Sequence, residues 1–279
     1  DGDFVDVDHV DAPPGAPWVV LFHGLEGSSA SPYARMLMHR VGQRGWRGTV
    51  MNFRGCSGEP NRLPRAYHSG DWQEVDWVLA RIASRAGGAP VHAAGVSLGG
   101  NALLKWLGEK GEAARGTVAS AAAVSAPLDL MAAGAALGEG FSLLYAKHFL
   151  ATMKRRATDK HARFPGSFDF ERMRRSRTLR EFDDVVTAPL HGFRDTDDYW
   201  TRASSKPLLR RIAVPTLVLN AQDDPFLPAQ ALPAPEEISP AVTIEFPHRG
   251  GHVAFVSGPF PGHIGWLPER LLHFFDHQE

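Results

Sequence analysis

Six short runs constrain this chain more than any other feature: PWVVLF at 17–22, GTVMNF at 48–53, VHAAGV at 91–96, TVASAAAVS at 117–125, PTLVLN at 215–220 and AVTIEF at 241–246. Each is apolar or β-branched almost throughout and is bounded by Gly, Pro or polar residues. Such runs read as strands buried on both faces. Between them apolar residues return at helical spacing. YARMLMHRVGQRG ends at Gly45, and DWQEVDWVLARIASRAGG opens with the capping pattern Asp71-x-x-Glu74 and closes on glycines. SLGGNALLKWLGEKG also closes on Gly. Buried strands alternating with helices mean a mostly parallel sheet covered by helices on both faces, so the fold class is α/β.

One connection departs from this rhythm. From Ser125 to Val214 no convincing core strand occurs, and a compact domain does not keep a structureless loop of that length. A mostly helical insertion is expected, with FSLLYAKHFLATMKRRA placing Phe141, Leu144, Tyr145 and Phe149 on one stripe. The chain then divides into a core at 1–126, a helical cap at 127–206 and the rest of the core at 207–279. Residues 147–180 hold 3 Lys and 8 Arg against 2 Asp and 1 Glu, a net of +8, with Phe149, Phe164, Phe168 and Phe170 interleaved. The plain reading is a solvated helical face neutralised by the following EFDD and DTDD. The sharper one is a cap that meets anionic membrane headgroups or acyl phosphates, its aromatics lining an acyl channel.

Composition excludes several classes. The 279 residues carry 30 Lys+Arg against 31 Asp+Glu, so no global field favours nucleic acid. Cys56 stands alone, which rules out an internal disulfide and any multi-cysteine zinc site. No apolar run approaches the ~20 residues of a membrane span, and no basic segment followed by an apolar one opens the chain. A cytoplasmic location is expected. The sequence begins at Asp1 without an initiator Met, so further residues upstream are expected.

Chemistry enters at GVSLGG. The pattern G-x-S-x-G is weak alone, but here VHAA precedes it and NALLKWL follows. Strand, sharp turn and helix are the context in which a strained serine projects its hydroxyl above a sheet edge. Ser97 is therefore a candidate nucleophile. A serine needs an imidazole to take its proton and a carboxylate to orient that imidazole. AQDDPFLP follows PTLVLN, and HRGGHVAF follows TIEFP, which supplies both in order. Asp224, which opens the D-P-x-x-P turn, and His252, after the glycine pair, are preferred. Asp223 and His248 remain as the alternatives. HGLEGSS follows the first long strand, where the backbone N–H of Leu25 can join that of Leu98 as oxyanion donors. His23 reads as a loop-ordering residue and Cys56 as structural, because no sharp turn surrounds the thiol. Neither a metal nor a cofactor is called for, since His248 and His252 lack a third ligand nearby.

HGLEGSS, NFRGCSGEPNR, YHSGDW, GVSLGGN, SAPLDL, REFDDVVTAPLHGF, PTLVLNAQDDPF and GGHVAF, in that order and across essentially the whole chain, resemble the YheT-like branch of the α/β-hydrolases. The resemblance implies an α/β-hydrolase fold and a serine esterase whose relatives include phospholipases and ethanol acyltransferases. Its nucleophile, acid and base fall on Ser97, Asp224 and His252. Members usually carry a further segment ahead of DGDF. The expectation is hydrolysis of carboxylic esters, short- to medium-chain or lipid, through an acyl-enzyme. The alternatives are acyl transfer to an alcohol and a catalytically silent ligand-binding scaffold.

Overall fold

A computed structural model describes residues 1–140 and 142–277. Seven strands form one sheet: β1 (Asp6–Val10), β2 (Trp18–Phe22), β3 (Arg47–Asn52), β4 (Val91–Val96), β5 (Ser120–Val124), β6 (Thr216–Leu219) and β7 (Val242–Glu245). Their spatial order is β1-β3-β2-β4-β5-β6-β7. Only β1 runs antiparallel, paired with β3, while β2 to β7 are mutually parallel. All six strands expected from the apolar runs form. β1 was not among them, because DVDHV alternates polar residues with two valines and lies at an edge with three exposed positions.

The sheet's two faces are sealed by different helices. Val20, Phe22, Ala93 and Val218 pack with α2 (Trp72–Ala86) and α3 (Leu98–Lys110). On the other face Leu21, Val96, Val124 and Leu219 pack with α1 (Pro32–Gln43) and with the C-terminal helix Trp266–Asp276. Each large side chain buried this way stabilises the fold by about 1.5–3 kcal/mol. Consecutive strand residues thus serve opposite cores, which is why these runs contain almost no polar residues.

Asp71 does not cap α2 as its spacing suggested. It is the residue before the helix, but its side chain makes no capping bond and instead pairs with Arg65, while Glu74 pairs with Arg54. Both carboxylates are buried, and a buried charge gains more from a cation than from one N–H.

Between β5 and β6 the chain is helical: α4 (Leu130–Leu137), α5 (Ser142–Arg163), α6 (Phe170–Arg175), α7 (Leu179–Phe182), α8 (Ala188–Leu190) and α9 (Thr196–Ala203). The C-terminal helix is α10. Two small cores hold this segment together, one around Leu150, Phe168, Met173 and Val186, the other around Leu130, Tyr199 and Trp200. The stripe expected on α5 is rotated from its predicted position. Ala146, Leu150 and Ala157 are buried, whereas Leu144 is 58% exposed. Small residues let the helix approach its neighbours, and Tyr145 and Phe149 pack edge-on against Phe226 instead. Phe141 lies outside the described residues. The interleaved aromatics do not line one channel either. Phe168 belongs to the small core, Phe170 stacks on His161 and the Phe164 ring packs under Lys160 and Arg163, which leaves Phe149 beside the apolar cavity described below. Among the described residues no helix is long and apolar enough to cross a membrane.

Candidate active site

Ser97 is the single residue between β4 and α3, with φ 52° and ψ −120°. Two glycines make that turn sterically possible. A Cβ on Gly95 would lie 2.5 Å from the Gly99 carbonyl oxygen, and one on Gly99 would lie 2.3 Å from that of Phe22. The G-x-S-x-G pattern is thus explained by backbone contact, of Gly95 with the first turn of α3 and of Gly99 with the end of β2, independently of any chemistry at the serine.

The strain is not confined to Ser97. Glu26, Ser125, Val253 and Phe255 also have positive φ, and all of these residues follow the carboxyl ends of strands β2, β4, β5 and β7. Such conformations cost about 1–3 kcal/mol each and persist only where surrounding contacts enforce them. One such contact runs from the Val253 N–H to the Ser125 hydroxyl, at 3.2 Å.

The loops after β6 and β7 bring the preferred acid and base to the serine. His252 Nδ1 lies 2.8 Å and 3.0 Å from the two Asp224 carboxylate oxygens, and its Nε2 lies 3.0 Å from Ser97 Oγ. Since a carboxylate only accepts, Nδ1 carries the proton and Nε2 is free to accept from the serine hydroxyl. The Asp224 side chain is 1% exposed and that of His252 16%. Asp224 is held from within its own turn, because Oδ1 accepts the Phe226 N–H at 2.8 Å, and the Phe226 ring lies 4.0 Å from the imidazole.

The alternatives sit elsewhere. Asp223 Oδ1 accepts the N–H groups of Gly250 and Gly251 at 2.9 and 2.8 Å, and so braces the loop that carries His252. His248 is exposed and bonds Gln222. His23 is fully buried: its Nδ1 donates to the Gly24 carbonyl at 2.8 Å and its Nε2 accepts the Phe53 N–H at 3.0 Å. Burial lowers its pKa to about 4, so it is a neutral tie for the loop after β2. Cys56 is buried, and burial pushes its thiol up.

The loop after β2 leaves one backbone N–H without a protein acceptor among the described residues. The Gly24 N–H donates to the Tyr33 hydroxyl at 2.8 Å, the Glu26 N–H to the Tyr67 hydroxyl at 2.9 Å and the Gly27 N–H to the Gly24 carbonyl. Leu25 N, between them, has no protein acceptor among the described residues. Leu98 opens α3, where the first N–H groups lack helical partners. Leu25 and Leu98 both line an apolar cavity of about 130 Å³ together with Ser97 and His252. Its far wall comes from the helical segment, with Leu130, Met153 and Trp200 among the contributors.

Several of these side chains gave no signal in the sequence. Tyr33, Tyr67 and Ser125 act through backbone N–H groups elsewhere in the chain and the Phe226 ring through the His252 imidazole, and only the Asp224-Pro225-Phe226 turn has a local signature. Among the described residues no group of His, Cys, Asp or Glu is placed to hold a metal ion.

A parallel sheet of this order, with a strained serine after its central strand and an imidazole and carboxylate on later loops, defines the α/β-hydrolase class. A family model described as alpha/beta hydrolase fold matches residues 17–259. YheT of Escherichia coli (strain K12), an esterase by name, is 43% identical over 276 residues, 97% of this chain and 81% of that protein. Phospholipase ABHD3 of Mus musculus is 33% identical over 92% of this chain, which spans 63% of that protein's length. The solved structure of Est1E from Butyrivibrio proteoclasticus with ferulic acid bound superposes with a TM-score of 0.60 at 14% identity, covering 100% of this chain and 96% of that one. The chain belongs to the α/β-hydrolase family, in its YheT-like branch.

Proposed function

We propose that the protein is a serine hydrolase of carboxylic esters. The observation that carries this reading is the continuous line Asp224 carboxylate, His252 Nδ1, His252 Nε2 and Ser97 Oγ, with every separation between 2.8 and 3.0 Å. The relatives named as an esterase and a phospholipase support the reaction class.

In this mechanism Ser97 Oγ attacks the acyl carbon as its proton passes to His252 Nε2, while the Leu25 and Leu98 N–H groups bind the oxyanion. Asp224 holds the imidazole in its tautomer and stabilises the imidazolium. Collapse of the tetrahedral intermediate breaks the bond to the alcohol, which leaves with the proton from His252. A water then gives its proton to His252 and its oxygen to the acyl carbon, which releases the carboxylic acid and restores Ser97. In this reading the helical segment 127–206 is a cap whose role is to shield the acyl-enzyme from bulk water, which is supported by its side chains forming one wall of the apolar cavity beside Ser97.

The test is labelling by a fluorophosphonate probe together with hydrolysis of p-nitrophenyl esters of increasing chain length. Wild type is expected to label at Ser97 and to turn over short acyl chains best. An unlabelled Ser97 with undiminished turnover would refute the serine mechanism.

A further inference from the structure

Ser97 and His252, with Leu25 and Phe149, border a second cavity of about 300 Å³ as well as the apolar one. Its walls include Gly24, His148, Thr152, Arg155 and Arg156. Both arginines also line a third cavity of about 550 Å³, which extends along α5 past Lys160 and Arg163. The serine therefore borders both a small apolar space and a larger one with basic residues on its walls.

Those cations differ in what occupies them. Arg156 is fully engaged: it pairs with Glu26 at 3.1 Å and donates to the Gly55 carbonyl and the Cys56 sulfur. Arg155 makes no ion pair and no hydrogen bond among the described residues. Lys160 donates only to neutral acceptors, Asn61 Oδ1 at 3.0 Å and the carbonyls of Leu63 and Arg65, and Arg163 only to the Asn61 carbonyl. Burial, and then the neighbouring Arg163, lower the Lys160 pKa to about 8, as expected for a cation short of negative partners. Two carboxylates stand on these walls: Glu26, already held by Arg156 and the Tyr67 hydroxyl, and exposed Asp159. Farther along the segment Arg172 pairs with Asp184, Arg174 with Glu171 and Arg180 with Asp197, while Arg175 and Arg177, which make no ion pair among the described residues, line a separate cavity that Ser97 does not border.

We propose that Arg155, with Lys160 and Arg163 behind it, forms a subsite for a phosphate on the alcohol half of the ester, so that the substrate is a short-chain acyl ester of a phosphorylated alcohol. This rests on the serine-hydrolase reading above and assigns the two halves of its substrate. An apolar space of about 130 Å³ has room for about four water-sized groups, which suits a short acyl chain. With the acyl chain there, the leaving alcohol projects into the space that Arg155 faces. Several cations spread along one helix suit a multiply charged group better than a single carboxylate, which one guanidinium satisfies.

The test compares kcat/KM for 1-butyrylglycerol 3-phosphate with that for 1-butyrylglycerol. Wild type is expected to prefer the phosphorylated ester by about tenfold or more, the scale of one charge-assisted hydrogen bond, through KM. Arg155→Gln should collapse this ratio, Arg155→Lys should keep part of it, and Arg174→Gln, in an exposed pair with Glu171, should leave it intact. High salt should erode the preference and inorganic phosphate should compete with the phosphorylated ester. Dispersed dibutyryl phosphatidylglycerol forms a further arm. Within a supporting result, the better of the two phosphorylated esters tells whether the phosphate comes from a free alcohol or from a lipid headgroup. Equal rates on charged and neutral esters in wild type, or a preference that survives Arg155→Gln, overturns the subsite while hydrolysis stands. Turnover of none of these esters, with Ser97 unlabelled, overturns the hydrolase reading and the subsite with it.

Discussion

At the carboxyl edge of the sheet, side chains are fixed by the backbone: Ser97 by the contacts of Gly95 and Gly99, Asp224 by the Phe226 N–H, and the His252 loop by Asp223 and Ser125. Across the cavity, the helical segment holds its side chains by two small cores and by exposed ion pairs such as Arg172–Asp184. The first arrangement stores strain and permits little adjustment; the second rests on side-chain packing, with ties to the core at Ser69 and Asn101, and among the described residues carries no comparable run of strained backbone. Chemistry placed on the rigid side keeps its geometry while the opposite wall sets what fits beside it. The comparison is sharpest where the two regions should respond differently to small substitutions.

The largest effect is expected at the rigid edge. Ser97→Ala should lower kcat by on the order of 10⁶, leaving a residual rate on the order of 10³ over water from the oxyanion donors and binding alone. Melting should stay close to wild type, because one hydroxyl is lost from a turn that the glycines still permit. A variant with wild-type turnover, measured by p-nitrophenyl ester hydrolysis, would remove the serine from the mechanism.

Next comes Asp224→Asn, expected to lower kcat by about 10⁴ with little change in KM, since the amide no longer selects the imidazole tautomer. Steady-state kinetics of the purified variant checks this. A loss confined to KM would mean that Asp224 serves binding instead.

Much of that edge was legible beforehand, and the reason is physical. Buried parallel strands admit few polar residues, so their runs stand out; a strained serine turn demands small neighbours, so its glycines stand out. The Asp-Pro-Phe turn declares itself because Asp224 accepts from a residue two positions on. The helical segment was legible only as helical. Its α5 stripe turned out to follow small residues, Ala146 and Ala157, and Asp71 turned out to answer Arg65 rather than the helix end. Such choices depend on neighbours brought in by the tertiary fold, as does the edge strand β1, whose pairing with β3 no local pattern announces.

Asp183 offers a way to break the contrast from the other side. It is buried in the helical segment, accepting from Thr187 Oγ1 at 2.6 Å and Trp200 Nε1 at 2.9 Å, and it lines the apolar cavity. Burial raises its pKa from 3.8 to about 6 against the pull of those two bonds. Between these values the unfolded chain has already released the proton that the folded chain retains. Unfolding therefore releases a proton in that window, and stability falls as pH rises through it. Relative to Asp183→Asn, wild type should lose about 2 kcal/mol from pH 4 to pH 6, the larger part of a total of about 3 kcal/mol that is complete near pH 7. Urea midpoints of the pair across this range provide the measurement. A wild type that instead gains stability relative to Asp183→Asn as pH rises would mean that Asp183 is held as a carboxylate, and the segment would then be fixed by charge as firmly as the sheet edge is fixed by backbone.

The smallest expected effect lies at Asp223, and it tests whether rigidity at the edge depends on single side-chain bonds. Asp223 and Asp224 are adjacent, yet they face different partners because successive residues of a turning chain point apart. Asp224 meets the imidazole, whereas Asp223 reaches the two glycine N–H groups that shape the loop carrying it. Asp223→Asn keeps an oxygen able to accept from those groups and removes only the charge from an exposed position. One weakened hydrogen bond of this kind is worth roughly 1 kcal/mol, so kcat should fall by no more than about tenfold. The fall should be partly recovered at low temperature, where the loop orders without the charge. If Asp223→Asn instead matches the loss of Asp224→Asn, the His252 loop is not rigid on its own. The imidazole would then be positioned jointly by both carboxylates, and the sharp division between a fixed edge and an adjustable wall would not hold at the residue that joins them.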